Sequence, residues 1–193
     1  AGPASGGFAQ WQASCHAALS AMLRAPDADI GAIMRVANGE VSRDNPGSLF
    51  VTAFAAILDL QSGVLSYCNA GHDNPYRLHP GHGELRCIDD GDGPPLCALP
   101  DYDYRGASIQ LLPGEMLCLM TDGVSEAQTP DGQLYGNERV QQRLLELQQH
   151  DVGARVLVEA LQADVNAFAA GAEPADDLTI LALRWNGPAG AAA

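Results

Sequence analysis

The chain has 193 residues, enough for one domain with a substantial core and a tight fit for two. It is 47% hydrophobic and carries ten basic against twenty-four acidic residues, a formal charge of −14. Such a surface repels nucleic acid and anionic lipid, and no apolar run approaches the roughly 20 residues that cross a bilayer, so neither partner is expected.

Ala1–Gly7 is small-residue and turn-rich and reads as a loop or a severed end, with no basic stretch and apolar core to mark a signal peptide. From Phe8 to Arg24, Cys15, Ala17, Ala18, Leu19, Ala21 and Met22 recur near helical spacing. Pro26–Asp29 breaks that helix and offers Asp27 or Asp29 as an N-cap for a second one. Ile30, Ile33, Met34 and Ala37 mark the second helix, which runs to Val41 and ends before the turn cluster Arg43–Ser48.

The next block is strand-like. Leu49–Asp59 and Val64–Asn69 form a hairpin about the turn Gln61-Ser62-Gly63. Asn74–His79 and Glu84–Ile88 follow as strands separated by the turn Pro80–Gly83. Asp89–Pro95 is a loop and Tyr102–Leu111 another strand. Pro113-Gly114 then turns into Met116–Met120, a short run greasy enough to be buried on both faces. After Asp131-Gly132 the period becomes helical, over Asn137–Gln148 and Val152–Ala170, with Asp151 available to cap the second helix. Leu178–Trp185 is the last strand. Residues 1–187 are expected to form the domain, with 188–193 a flexible tail. Two helices, a run of antiparallel strands, two helices and a strand make an α+β layered domain and exclude a βαβ nucleotide-binding fold.

The chemistry concentrates at two strand ends. Thr121-Asp122-Gly123 follows the buried strand, and Asp176-Asp177 precedes the last one. A carboxylate at the edge of a core needs a cation or several hydrogen bonds. Two such sites from distant parts of one chain suit a hard-metal centre, because Mg²⁺ and Mn²⁺ choose oxygen ligands. The five cysteines (Cys15, Cys68, Cys87, Cys97 and Cys118) never form a CxxC pair, which excludes a zinc motif and points to reduced thiols in a cytoplasmic protein. His79 and His82, in the HPGHG turn, read as an exposed loop, since two ligands on a turn with no third make no metal site.

Five segments, in this order and at these spacings, resemble the SpoIIE-like bacterial branch of the metal-dependent type 2C serine/threonine protein phosphatases. They are Leu49–Thr52, Asn69–His72, Leu112–Glu115, Thr121–Ala127 and Asp176–Thr179. The resemblance covers residues 10–186 and implies an α-β-β-α sandwich of two antiparallel sheets with helices outside. It further implies two Mn²⁺ or Mg²⁺ ions at one edge, a water they activate, and hydrolysis of phosphoserine or phosphothreonine without a covalent enzyme intermediate. Carried over residue by residue, Asp122 and Asp176 are the metal ligands, Gly123 and Asp177 weaker candidates. His72 is read as a structural residue at the hairpin exit, with proton donation to the leaving oxygen as its alternative. Asn69 is expected in a turn or left-handed position, and Glu126 holds the backbone after the metal strand or faces a partner.

The resemblance also implies the target, a phosphorylated anti-anti-sigma-type protein in partner-switching signalling, and a sensor or receiver domain upstream. A helix near the start is available for a homodimer contact or a switch. Two departures stand out. The family's first Asp-containing turn should fall at Ala1–Gly7, where Ser5-Gly6 matches but Pro3 or Ala4 stands for the Asp; either the N-terminal part, with its strands, is incomplete, which is the favoured expectation, or this member has lost a bridging ligand. Cys97 replaces the usual glycine after Pro95-Leu96, an alteration expected to stay within its loop. The rival reading is a pseudophosphatase that binds the same partner without turnover.

Overall fold

The computed structural model describes residues 29–43, 45, 49–79, 85–172 and 176–188. The expected first helix, the Pro80–Gly83 turn, His82, residues 1–7 and most of the 188–193 tail lie outside them. The described chain forms two compact units, one drawn from 29–59, 64–72 and 90–110, the other from 60–63, 73–89 and 111–188.

In the first unit, α1 (Ile30–Arg43) starts where Asp29 caps it, its Oδ1 accepting from the Gly31 amide at 3.0 Å. Ile30, Ile33, Met34, Ala37 and Val41 recur at helical spacing and form one buried stripe. That stripe lies on β1 (Ala53–Leu58) and β2 (Val64–Ala70), with Ala55, Cys68 and Ala70 in the shared core. The hairpin pairs Ala53 with Ala70 and Leu58 with Leu65, and Gly63 takes the positive φ of 77° that its turn requires. The other edge of β2 is shared in succession. β6 (Ala107–Gln110) pairs antiparallel with residues 64–67, and the two-residue β5 (Asp92–Gly93) pairs parallel with 69–70.

Several strands are shorter than the apolar runs that predict them. Val51 leaves the sheet to exchange two backbone bonds with Leu96, and the Asn45 side chain takes both backbone groups of Leu49. The half of Tyr102–Leu111 nearest Tyr102 is irregular, held by the Tyr104 hydroxyl donating to the Pro94 carbonyl at 2.8 Å.

The second unit holds an antiparallel sheet in the order β4 (Arg86–Cys87), β3 (Tyr76–Leu78), β7 (Met116–Met120), β8 (Ile180–Arg184). Met116, Cys118 and Met120 alternate onto one face, beside Tyr76 and Leu78, and receive α2 (Gly136–Gln149) and α3 (Ala154–Ala169). Val140, Leu144 and Leu147 of α2 and Leu157, Leu161 and Val165 of α3 complete this core. Each such large aliphatic contributes roughly 1.5–3 kcal/mol when fully buried. Asp151 does not cap α3, contrary to expectation. The cap position is Gly153, whereas Asp151 stands two residues earlier at φ 45° with its carboxylate 2.9 Å from Arg184. The strongly basic guanidinium draws it away from the helix end.

Candidate metal centre

β7 and β8 are paired residue for residue from Met116–Arg184 to Met120–Ile180. Antiparallel register alone therefore brings the chain leaving β7 and the chain entering β8 to one end of the sheet. The first is Thr121-Asp122-Gly123 and the second Asp176-Asp177-Leu178-Thr179. Three hydrogen bonds join them. The Thr121 amide donates to the Thr179 carbonyl at 3.1 Å, the Thr121 hydroxyl donates to the Asp177 carbonyl at 2.9 Å, and the Thr179 amide donates to that hydroxyl at 3.0 Å. Gly123 is buried against the same carbonyl. A Cβ at this position would lie 2.6 Å from the Asp177 oxygen, so only glycine allows the two turns to approach this closely.

The carboxylates themselves face solvent. Asp122 is exposed, and its carbonyl is the group its own turn uses, accepting from the Glu126 amide at 2.8 Å and the Ser125 hydroxyl at 3.2 Å. None of the described hydrogen bonds or ion pairs engages the Asp122 carboxylate. Asp176 and Asp177 are exposed, and Asp176 Oδ1 accepts from the Asp177 amide at 2.7 Å. The structure thus brings the turn of Asp122-Gly123 and the turn of Asp176-Asp177 together. The donors they offer are oxygens only, a set that suits Mg²⁺ or Mn²⁺ better than the nitrogen- and sulfur-seeking zinc. Among the described residues no three His, Cys, Asp or Glu side chains gather as a metal-holding group. The family's first Asp-containing turn would fall on residues 1–7, which hold no Asp and lie outside the described chain. Glu126 is exposed and its amide braces the Asp122 turn, the structural half of what its position suggests.

His72 belongs to the first unit, at the exit of β2. Its partner there is Asn69, whose Nδ2 donates to the His72 carbonyl at 2.8 Å while Oδ1 accepts from the His72 amide at 2.9 Å. Asn69 is therefore a buried strand residue and not the left-handed turn residue expected. The turn's positive φ falls on Gly71, at 69°, packed under Pro95.

Sequence reasoning missed a buried charge network in the second unit. Glu115 is 3% exposed and accepts from Arg77 Nε at 3.0 Å, from the Leu112 amide at 2.7 Å, and pairs with His79 Nδ1 at 2.8 Å. His79 is thus not part of an exposed loop. Its ring is held by Glu115 and its amide by the buried Gln148 of α2, because the β3–β7 register sets it opposite a carboxylate. Burial pushes the Glu115 carboxyl up, but Arg77, the Leu112 amide and His79 outweigh it and hold the carboxyl below its ordinary value. The signal was a glutamate directly preceding a run buried on both faces, which demands a cation. Burial raises the thiols of Cys68 and Cys118 to about 11 and about 12, so neither is a nucleophile at neutral pH.

Cys97 keeps the glycine-like conformation, with φ 70°, and the loop around it is held by one side chain. Asn38 of α1, fully buried, accepts from the Cys97 amide at 2.8 Å and donates to the carbonyls of Leu99 and Pro100, each at 2.8 Å.

Comparison with known proteins identifies the family and the fold. Residues 11–186 match the family model of Stage II sporulation protein E (SpoIIE). Protein IcfG of Synechocystis is 29% identical over 140 residues, 72% of this chain and 21% of its own length. Phosphoserine phosphatase RsbU of Bacillus subtilis is 28% identical over 100 residues, 52% of this chain and 30% of its own. The chain thus spans less than a third of either relative. Among solved structures, the RsbU and RsbW domains of Rv1364c from Mycobacterium tuberculosis superpose with a TM-score of 0.73 at 21% identity, covering 94% of this chain and 50% of that one. The phosphatase domain of SpoIIE from Bacillus subtilis, presoaked with Mn, gives 0.61 at 17% identity, covering 89% and 73%. The chain belongs to the SpoIIE family and has the α+β fold of its PP2C phosphatase domains.

Proposed function

We propose that this domain is a metal-dependent serine/threonine phosphatase acting on phosphoserine or phosphothreonine of a regulatory protein, of the anti-anti-sigma type used in partner switching. The observation that carries the reading is the β7–β8 register, which sets the Asp122 and Asp176 turns side by side with the Asp122 carboxylate uncommitted. Family membership, the phosphoserine phosphatase RsbU among the relatives and a manganese-soaked neighbour all support it. Asp122 and Asp176 are the residues that would hold Mn²⁺ or Mg²⁺, with the Gly123 backbone and Asp177 as further donors. Bound there, a pair of such ions supplies an acidified water and neutralises charge on the phosphoryl oxygens.

The protein's own part is positional. The inter-turn bonds and the close approach at Gly123 hold the backbone of the two turns side by side before any cation arrives, which lowers the ordering cost of binding. Exposure of Asp122, Asp176 and Asp177 admits a phosphorylated side chain presented on the surface of a folded protein. The buried thiols offer no covalent route.

The test is phosphate release from a phosphoserine-bearing anti-anti-sigma protein by the full-length enzyme with Mn²⁺. Asp122→Asn is expected to lower the rate by at least about a hundredfold, because a primary donor loses its charge. Release that survives both this substitution and chelation contradicts the reading, and capture of the phosphoprotein without turnover favours the pseudophosphatase.

A further inference from the structure

The structure assigns Thr121 as the residue that positions the two metal-holding turns, a role that rests on the reading above. Its hydroxyl has one proton to give and gives it to the Asp177 carbonyl at 2.9 Å, while a lone pair takes the Thr179 amide at 3.0 Å. Both bonds run from the residue before Asp122 to the segment that follows Asp176, across 56 and 58 positions of sequence. They bracket Leu178 and so hold the segment at two points, not one. Asp122 and Asp176 carry like charges that repel when no cation lies between them. The hydroxyl is the only side chain among the described bonds that ties these turns together against that repulsion. The remaining tie, Thr121 amide to Thr179 carbonyl, is backbone and continues the sheet ladder. Thr121 touches neither substrate nor ion on this account; it is a positioning residue.

Thr121→Val keeps the shape and the backbone bond and removes only the hydroxyl, whereas Thr121→Ser keeps the hydroxyl. Mn²⁺ titration calorimetry on the full-length protein, without substrate, reads the effect directly. The valine variant is expected to bind about tenfold to a hundredfold more weakly, the range for residues that orient metal ligands, and the serine variant within about twofold of the parent. Amide hydrogen exchange without metal should show Thr179 exchanging faster in the valine variant and unchanged in the serine one. If the valine variant does not fold, Thr121→Ala removes the same hydroxyl and carries the same expectations. Asp122→Asn separates the two claims. Loss of Mn²⁺ binding in Asp122→Asn, with parental affinity in Thr121→Val, overturns the positioning role alone. Parental affinity in Asp122→Asn, or no Mn²⁺ binding by the parent protein, overturns the metal site and the positioning role with it.

Discussion

Glu115 and Asp122 are both acidic residues at the ends of β7, and their surroundings give them opposite work. Glu115 is sunk in a cage of Arg77, His79 and the Leu112 amide, so its charge is neutralised by the fold. Removing that charge sets the Arg77 guanidinium, whose side chain is 19% exposed, against a neutral amide in place of a carboxylate. Glu115→Gln is expected to destabilise by about 3 kcal/mol at pH 7, measured by urea unfolding. The pH dependence has a defined sign. A carboxyl held below its ordinary value of 4.5 contributes stability that is complete above that value and is lost as pH falls through the folded one. The difference between parent and Glu115→Gln should therefore be constant from pH 7 to 5 and shrink below about pH 4. Asn38 is the polar counterpart. Asn38→Leu leaves the Cys97 amide and the Leu99 and Pro100 carbonyls short of a partner and should cost about 2–4 kcal/mol in the same assay, a loss below 0.5 kcal/mol arguing that water replaces it.

At the scale of elements, pattern and register decide different things. Met116–Met120 emerges as a strand with the bounds its composition predicts, and α1, α2 and α3 follow their 3.6-residue stripes to within two residues. The nearness of the Asp122 and Asp176-Asp177 turns was legible because each flanks a short apolar run that reads as a strand. Arg77, His79 and Glu115 were not legible as a group, since only the β3–β7 register brings a residue of one strand opposite the end of another. Asn69 was misread for a related reason, because a buried asparagine in a strand and one in a turn look alike until its partner, His72, is known. Close approach between elements is equally invisible in sequence. A Cβ at Gly31 would lie 2.8 Å from the Gly106 amide nitrogen and the Tyr104 carbonyl oxygen, both backbone atoms that cannot swing aside. Gly31→Ala is therefore expected to lower stability by about 1–3 kcal/mol although alanine is the better helix former, and a rise in melting temperature would show that α1 can lift off at no cost.

For the molecule as a whole, the charge of −14 disfavours association with a strongly anionic surface. The two largely antiparallel sheets with their helices, and the match of residues 11–186 to the SpoIIE family, make the fold the most legible part of the chain. The charge distribution bears on the site, since a cation approaching Asp122 and Asp176 meets an attractive field that added salt weakens. The central claim is that these two carboxylates share a divalent cation. The most direct measurement is anomalous scattering from a crystal of the full-length protein soaked in Mn²⁺. A peak roughly 2.0–2.2 Å from carboxylate oxygens of both Asp122 and Asp176 is the expected result. Manganese bound elsewhere, with both of these side chains ordered and turned to solvent, would contradict it.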